Sequence, residues 1–276
     1  MNAAGQRFAG LRTHEAPQAL AAGLRAAAAP LPARRRALRT LAWMVAAGTS
    51  GWLAWRHTPM RDQVLAWSAD YRTRVGEIRH VALADHSQLW LDTDSAADFA
   101  IDGAQRSLTL RQGAIVIETA PDSERPFVVW TPQGSMRALG TRFLVRRDSG
   151  QQIHLAVFDG AVEIRLAATG ERCVIPRGGQ ADFQYDRIGP LSMADSAQAT
   201  WQSGMLTVDN MRLADFLAQL SRYRRGHLAA HPDVADLRVM GTFPLPDTDA
   251  ALAMLGDALP IRVQRTMPWW VTVEPR

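Results

Sequence analysis

Apolar positions along the chain change their spacing several times. From Val81 to Ile164 they alternate with polar ones, and turn residues separate the runs. Val81 and Leu83 precede Ala84-Asp85-His86-Ser87, and Leu89 and Leu91 follow it. Phe99 and Ile101 lead to Asp102-Gly103, Leu108 and Leu110 to Gln112-Gly113, and Ile115 and Ile117 come next. Phe127 and Val129 lead to Gln133-Gly134, and Phe143 and Val145 to Asp148-Ser149-Gly150. Ile153, Leu155 and Val157 reach Asp159-Gly160, beyond which lie Val162 and Ile164. A period of two puts alternate side chains on one face of a strand. Short strands punctuated in this way predict an all-β, sandwich or jelly-roll-like domain, placed at residues 71–184.

Residues 185–200 lack such a period and hold Asp186, Gly189, Pro190 and Ser192, which reads as a linker. Beyond Trp201 the spacing becomes helical in two places. Leu213, Phe216, Leu217 and Leu220 fall at i, i+3, i+4 and i+7, with Asn210 as the expected N-cap and Gly226 as the expected C′ residue. A second helix is expected from Asp247 or Thr248, with Leu252, Leu255 and Leu259 on one face and Pro260 ending it. Strand-like runs at Met205–Val208, Leu237–Phe243, Ile261–Gln264 and Trp270–Val273 surround these helices. Residues 201–276 therefore read as a small α+β unit of β-α-β halves.

Upstream, Thr40–Trp55 carries no formal charge, and its polar residues are few. With Arg39 snorkelling and Trp43, Trp52 and Trp55 near the ends, residues 40–56 are expected to cross a bilayer once. Arg34, Arg35, Arg36 and Arg39 crowd one flank, against Arg56 and Arg61 on the other. The positive-inside rule then leaves residues 1–39 in the cytoplasm and the folded remainder outside.

Charge supports that division. All 31 basic residues are Arg, and residues 1–39 hold seven of them against one acid. The remaining 24 Arg face 26 acids, so the folded part is near neutral and lacks the basic stripe of a nucleic-acid binder. The absence of Lys excludes a Schiff base and a P-loop lysine, and the single Cys173 excludes an intrachain disulfide. No serine stands in a G-x-S-x-G elbow. His227 and His231, at i and i+4, read as loop histidines, and Asp92 and Asp94 as turn caps. Alternation places one of Trp269 and Trp270 in a core. The chain is read as neither an enzyme nor a metal or cofactor protein.

Residues 71–183 resemble the periplasmic domain of FecR-type sigma-factor regulators. The resemblance is carried by Tyr71-Arg-Thr-Arg-Val-Gly-Glu77, Val81-Ala-Leu-Ala-Asp-His-Ser87, Leu91-Asp-Thr-Asp-Ser95 and Leu110-Arg-Gln-Gly-Ala114. It continues through Arg125-Pro-Phe-Val128, Arg137-Ala-Leu-Gly-Thr-Arg-Phe143, Val157-Phe-Asp-Gly-Ala-Val-Glu163 and Gly178-Gly-Gln180. Through Trp201 and Gly204, Leu217 with Leu220-Ser-Arg-Tyr-Arg224, Leu237-Arg-Val-Met-Gly-Thr-Phe243 and Asp247-Thr-Asp-Ala-Ala-Leu252, residues 201–276 are similar to the family's C-terminal module, an STN-like signalling domain of the kind found at the N-termini of secretins and TonB-dependent receptors. Two departures stand out. His86 occupies a hairpin position where the family usually has Gly, so it must tolerate or avoid a positive φ. The family's cytoplasmic unit is usually longer and contains Trp, whereas residues 1–33 have none and resemble only its tail.

The resemblance implies an inner-membrane transducer that regulates an extracytoplasmic-function sigma factor. Its signal would come from a TonB-dependent outer-membrane receptor, typically for an iron siderophore, and no small-molecule substrate or direct nucleic-acid contact is implied. The receptor's signalling domain is expected to dock on the C-terminal unit. Candidate contacts are Leu237, Val239 and Met240, with Arg222, Arg224 and Arg225 as steering charges. In some members of the family the equivalent Gly-Thr bond breaks by itself, which makes Gly140 and Thr141 a candidate self-cleavage pair, with His154 or Asp148 as candidate proton acceptors. The alternative reading is that Gly140 only provides a bulge or turn and Thr141 a strand start. Two readings compete: an envelope scaffold docking a secretin-like assembly, and a tethered ligand-binding β domain presenting Trp90 and Trp130.

Overall fold

The computed structural model describes residues 68–147, 151–267 and 269–276. The expected spanning segment and its anchors Arg39, Trp43, Trp52, Trp55 and Arg56 lie outside them. Among the described residues no helix is long and apolar enough to cross a membrane.

The fold is mainly β. The strands of the first lobe are β1 (Tyr71–Arg72), β2 (Arg79–Ala82), β3 (Gln88–Leu91), β4 (Ala96–Ile101), β5 (Arg106–Glu118), β6 (Phe127–Thr131) and β7 (Gly134–Ala138). They continue with β8 (Arg142–Arg147), β9 (Ile153–Asp159), β10 (Ala161–Leu166), β11 (Arg172–Pro176), β12 (Gly179–Phe183) and β13 (Ser192–Met193). One sheet runs β11-β10-β7-β6-β5-β4-β1 and the other β13-β12-β9-β8-β5-β3-β2. Pairing is antiparallel except between β5 and β6.

The long strand β5 belongs to both sheets. Arg106–Gln112 pairs with β4, and Gly113–Glu118 pairs with β8. The change of sheet falls at Gly113, whose φ is +82°. That value suits glycine, and a Cβ there would lie 2.7 Å from both Cα and Cβ of Ser95.

The side chains that alternation assigns inward do fill one core. Leu89, Leu91, Leu108, Leu110, Ile115, Ile117, Phe127, Val129, Phe143, Val145, Leu155, Val157, Val162 and Ile164 all belong to it. Ile101, at the end of β4, is the exception and is exposed. A buried ion pair closes one margin: Arg106 Nη1 lies 3.0 Å from Asp85 Oδ2 and also donates to the Ala120 carbonyl.

His86 adopts φ +67° in the Leu83–Ser87 turn and is exposed. It tolerates the left-handed conformation rather than avoiding it, at the cost a Cβ imposes there. His86→Gly is therefore expected to raise stability by about 0.5–1 kcal/mol, read as an upward shift of the urea midpoint with an unchanged slope.

The second lobe comprises β14 (Met205–Arg212), α1 (Leu213–Ser221), β15 (His227–Ala230), β16 (Arg238–Pro244), α2 (Thr248–Ala258), β17 (Ile261–Met267) and β18 (Trp270–Pro275). β14 and β16 form an antiparallel pair, while β15 is parallel to β18, which pairs antiparallel with β17. Leu213, Phe216, Leu217 and Leu220 are all buried, as their helical spacing predicts. Asp247 caps α2 by accepting from the Ala250 N–H at 2.9 Å.

Other local expectations are corrected. Asn210 does not cap α1; it sits at φ +51° in a bulge where the β14–β16 register shifts between Val208 and Met211. The first free N–H groups of α1 find backbone acceptors instead: Leu213 donates to the Leu237 carbonyl and Ala214 to that of Ala235. Arg222, not a glycine, ends α1, and Gly226 introduces β15, with a φ of +104°. Nor is 185–200 a bare linker. Ser192–Met193 adds β13 to β12, and a 3-10 helix at Ser196–Ser203 buries Ala199 and Trp201. Its short, tight turns give no two- or 3.6-residue period to read.

Candidate functional site

The outer face of the second sheet is covered. Val116, Leu144 and Ala156 point away from the sandwich core and pack in one cluster with Trp201, Leu206 and the core of the second lobe. This explains why β5, β8 and β9 carry apolar residues at consecutive positions: they are buried on both faces.

Polar groups fix the same contact. Asp92, just past β3, is fully buried. Its carboxylate accepts from Arg222 Nη2 at 2.8 Å and from the Tyr223 hydroxyl at 2.6 Å. The Thr93 hydroxyl donates to the Arg222 carbonyl at 3.0 Å and accepts from the Gly76 N–H at 2.8 Å. Gly76 has φ +83°, and a Cβ there would lie 2.9 Å from the Tyr223 carbonyl oxygen. Burial, the largest influence, pushes the Asp92 carboxyl above its ordinary value despite the Arg222 charge and the Tyr223 hydrogen bond. Burial and the neighbouring Asp92 charge raise the Tyr223 phenol, so it stays neutral and donates. Asp92 is thus a structural acceptor between lobes rather than a turn cap. Asp94, at φ +49°, accepts from Gln112 at 2.7 Å. Beside this joint lies a cleft of about 90 Å³ bordered by Asp92, Arg146, Gln198, Trp201 and Arg222.

The expected docking residues separate into free and committed groups. Met240 is 74% exposed on β16, while Val239 is buried and Leu237 packs against the lobe's core. Alternation along the strand accounts for the split between Val239 and Met240. Arg222 is held by Asp92, and Arg224 pairs with Asp249 at 3.1 Å. The Arg265 and Arg224 charges around it hold the Asp249 carboxyl below its ordinary value, outweighing burial. Arg225 is exposed. Trp269 and Trp270 are both exposed, at 57% and 46%, contrary to the expectation of one in a core. Trp269 falls in the turn before β18, and Trp270 stacks on His227 with centroids 4.1 Å apart. Trp90 stacks on His80 and is half-buried.

Gly140 and Thr141 lie between β7 and β8. Gly140 has φ +72°, and Thr141 is 4% exposed. The Thr141 hydroxyl is buried, and no group among the described residues hydrogen-bonds it. His154 is not a proton acceptor for it: the ring lies 2.6 Å from Asp182 and 2.9 Å from Gln198, toward the other end of the β8–β9 ladder. Asp148 lies outside the described residues. Thr119, which the sequence did not single out, accepts instead from the Thr141 N–H at 3.0 Å. No group of three or more potential metal ligands occurs among the described residues.

The β lobe with this turn geometry matches the family model described as FecR protein, over residues 69–163. Residues 69–163 are a FecR domain. The fold extends beyond that match. Crystal structures at 2.50 and 1.65 Å of a candidate anti-sigma factor from Parabacteroides distasonis ATCC 8503 superpose with TM-scores of 0.59 and 0.60. Identity is 18%, over 75% of this chain and 98% of theirs, so the likeness is one of fold. No curated protein matches the sequence. The FecR domain supplies Asp92, Thr93 and Gly76 to the joint, and its β7–β8 turn carries the Gly140–Thr141 bond.

Proposed function

We propose that the chain regulates an extracytoplasmic-function sigma factor from the inner membrane. In this reading residues 1–39 meet the sigma factor in the cytoplasm, residues 40–56 cross the bilayer, and the two lobes stand in the periplasm. The second lobe is an STN-like module that receives the signalling domain of a TonB-dependent receptor serving iron-siderophore uptake. One observation carries the reading: a FecR domain is packed directly on a β-α-β module through Val116, Leu144, Ala156 and the Asp92–Arg222–Tyr223 contact. Receptor docking has an available strand edge in β16, which among the described residues pairs with β14 alone and presents Met240 outward. Self-cleavage between Gly140 and Thr141 is a step in the same reading, favoured by the buried, unpartnered hydroxyl beside a left-handed glycine.

Affinity purification of the full-length chain from its own cells tests the function. The expected result is co-purification of one sigma factor, identified by mass spectrometry, and its loss when residues 1–39 are deleted. Recovery of no sigma factor with the intact chain would contradict the proposal.

A further inference from the structure

Thr119 and Thr141 extend the β5–β8 ladder by one pair beyond Glu118 and Arg142. The Thr119 N–H donates to the Thr141 carbonyl at 3.0 Å, as an antiparallel pair requires. The return bond is different. The Thr141 N–H goes to the Thr119 side-chain Oγ1 at 3.0 Å, and that hydroxyl lies 3.3 Å from the Thr141 carbonyl oxygen, to which it donates. One side chain therefore grips both polar groups flanking the Thr141 Cα. The Gly140–Thr141 bond is crowded on its other side by Gly160, where a Cβ would lie 2.7 Å from Thr141 Cγ2 and would also strike the Gly140 carbonyl oxygen.

We propose that Thr119 is the positioning residue for an acyl shift at Gly140–Thr141, a role that rests on the self-cleavage reading above. The Thr141 Oγ1 attacks the Gly140 carbonyl carbon. A C–O ester bond forms, the C–N bond breaks, and the hydroxyl proton ends on the departing Thr141 nitrogen, which becomes an amine. Water then hydrolyses the ester, leaving a carboxylate on Gly140 and restoring the Thr141 hydroxyl. Thr119 Oγ1, accepting from the Thr141 N–H and donating to the Thr141 carbonyl, fixes the orientation of the peptide unit that the Thr141 hydroxyl attacks. The pinned amide leaves the unpartnered Thr141 hydroxyl without a competing hydrogen bond.

The test follows freshly synthesised full-length chain over time on denaturing gels, with mass spectrometry to find a new N-terminus at Thr141. Hydroxylamine, which captures the ester, separates its formation from its hydrolysis. Thr119→Val is expected to slow fragment formation about a hundredfold, with or without hydroxylamine, as misplacement of the reacting groups does. Thr119→Ser is expected to restore the wild-type rate, and Thr141→Ala to give none. Thr119→Ala serves as a second hydroxyl-free variant, and each variant's near-ultraviolet circular dichroism checks its fold. A folded Thr119→Val or Thr119→Ala chain that cleaves at the wild-type rate, while Thr141→Ala stays intact, overturns the role of Thr119 and leaves self-cleavage standing. A wild-type chain that remains in one piece, with hydroxylamine present, overturns both.

Discussion

Asp92→Ala is expected to lower the free energy of unfolding by about 3 kcal/mol and to separate a single thermal transition into two. The carboxylate is fully buried and accepts from Arg222 and Tyr223 across the contact between the lobes. A hydrogen bond to a charged group contributes about 1.5–3 kcal/mol, and a buried hydroxyl left without a partner costs about 1–3 kcal/mol. Arg222 is partly exposed and can turn to water, so the loss stays below that of a fully buried ion pair broken on one side. Releasing the desolvated carboxylate offsets some of the cost. In a region of this size the change corresponds to a fall of about 6–12 °C in the lower transition, read by scanning calorimetry. A variant that melts in one step at the wild-type temperature would show that the apolar contacts of Val116, Leu144 and Ala156 suffice.

The same substitution has a pH signature. Burial holds the Asp92 carboxyl above its ordinary value of 3.8 in the folded protein. The folded state then binds the proton more tightly than the unfolded chain does. Its contribution to stability is complete below 3.8 and is lost as pH rises through the higher folded value. The difference in stability between wild type and Asp92→Ala is therefore expected to be larger at the acidic end of that window. A difference that grows as pH rises would contradict the assignment.

Gly113→Ala is expected to cost about 4 kcal/mol, enough to leave most of the chain insoluble. The left-handed conformation alone costs a residue with a Cβ about 1–2 kcal/mol. The added methyl would meet Cα and Cβ of Ser95 at 2.7 Å. Ser95 cannot step aside easily, because its hydroxyl accepts from the Ala114 N–H at 3.0 Å and its N–H donates to the Thr73 hydroxyl at 2.8 Å. Forcing atoms into such a packed place adds about 1–3 kcal/mol. The effect is large because β5 changes sheet at this residue, so a local shift disturbs both layers. Gly103→Ala, with open space around its Cβ position, is the matched control and should express like wild type.

Alternation made the sandwich legible from Leu89 to Ile164, since each inward residue of a half-buried strand repeats at a period of two. It was silent on the second function of those strands. Val116, Leu144 and Ala156 fall between the inward positions of that pattern, yet they are the residues on which the second lobe packs. The Asp92 contact was invisible for a different reason. Its partners lie about 130 residues away, and no local spacing announces a bond between a turn and the end of a distant helix. Helix faces were readable from Leu213 and Leu252, but the cap of α1 was not, because backbone carbonyls of Ala235 and Leu237 took the place of a side chain. Gly140–Thr141 was visible through the family resemblance, whereas Thr119 emerges only once β5 and β8 lie side by side.

Proteolysis of intact spheroplasts tests whether residues 1–39 and the two lobes stand on opposite sides of the membrane. An epitope at the C-terminus and another within residues 1–39 report the two sides. External protease is expected to remove the C-terminal epitope from membrane-bound chain, while the N-terminal one survives until the membrane is opened. A C-terminal epitope that resists protease until lysis, or a chain recovered intact in the soluble fraction, would contradict it.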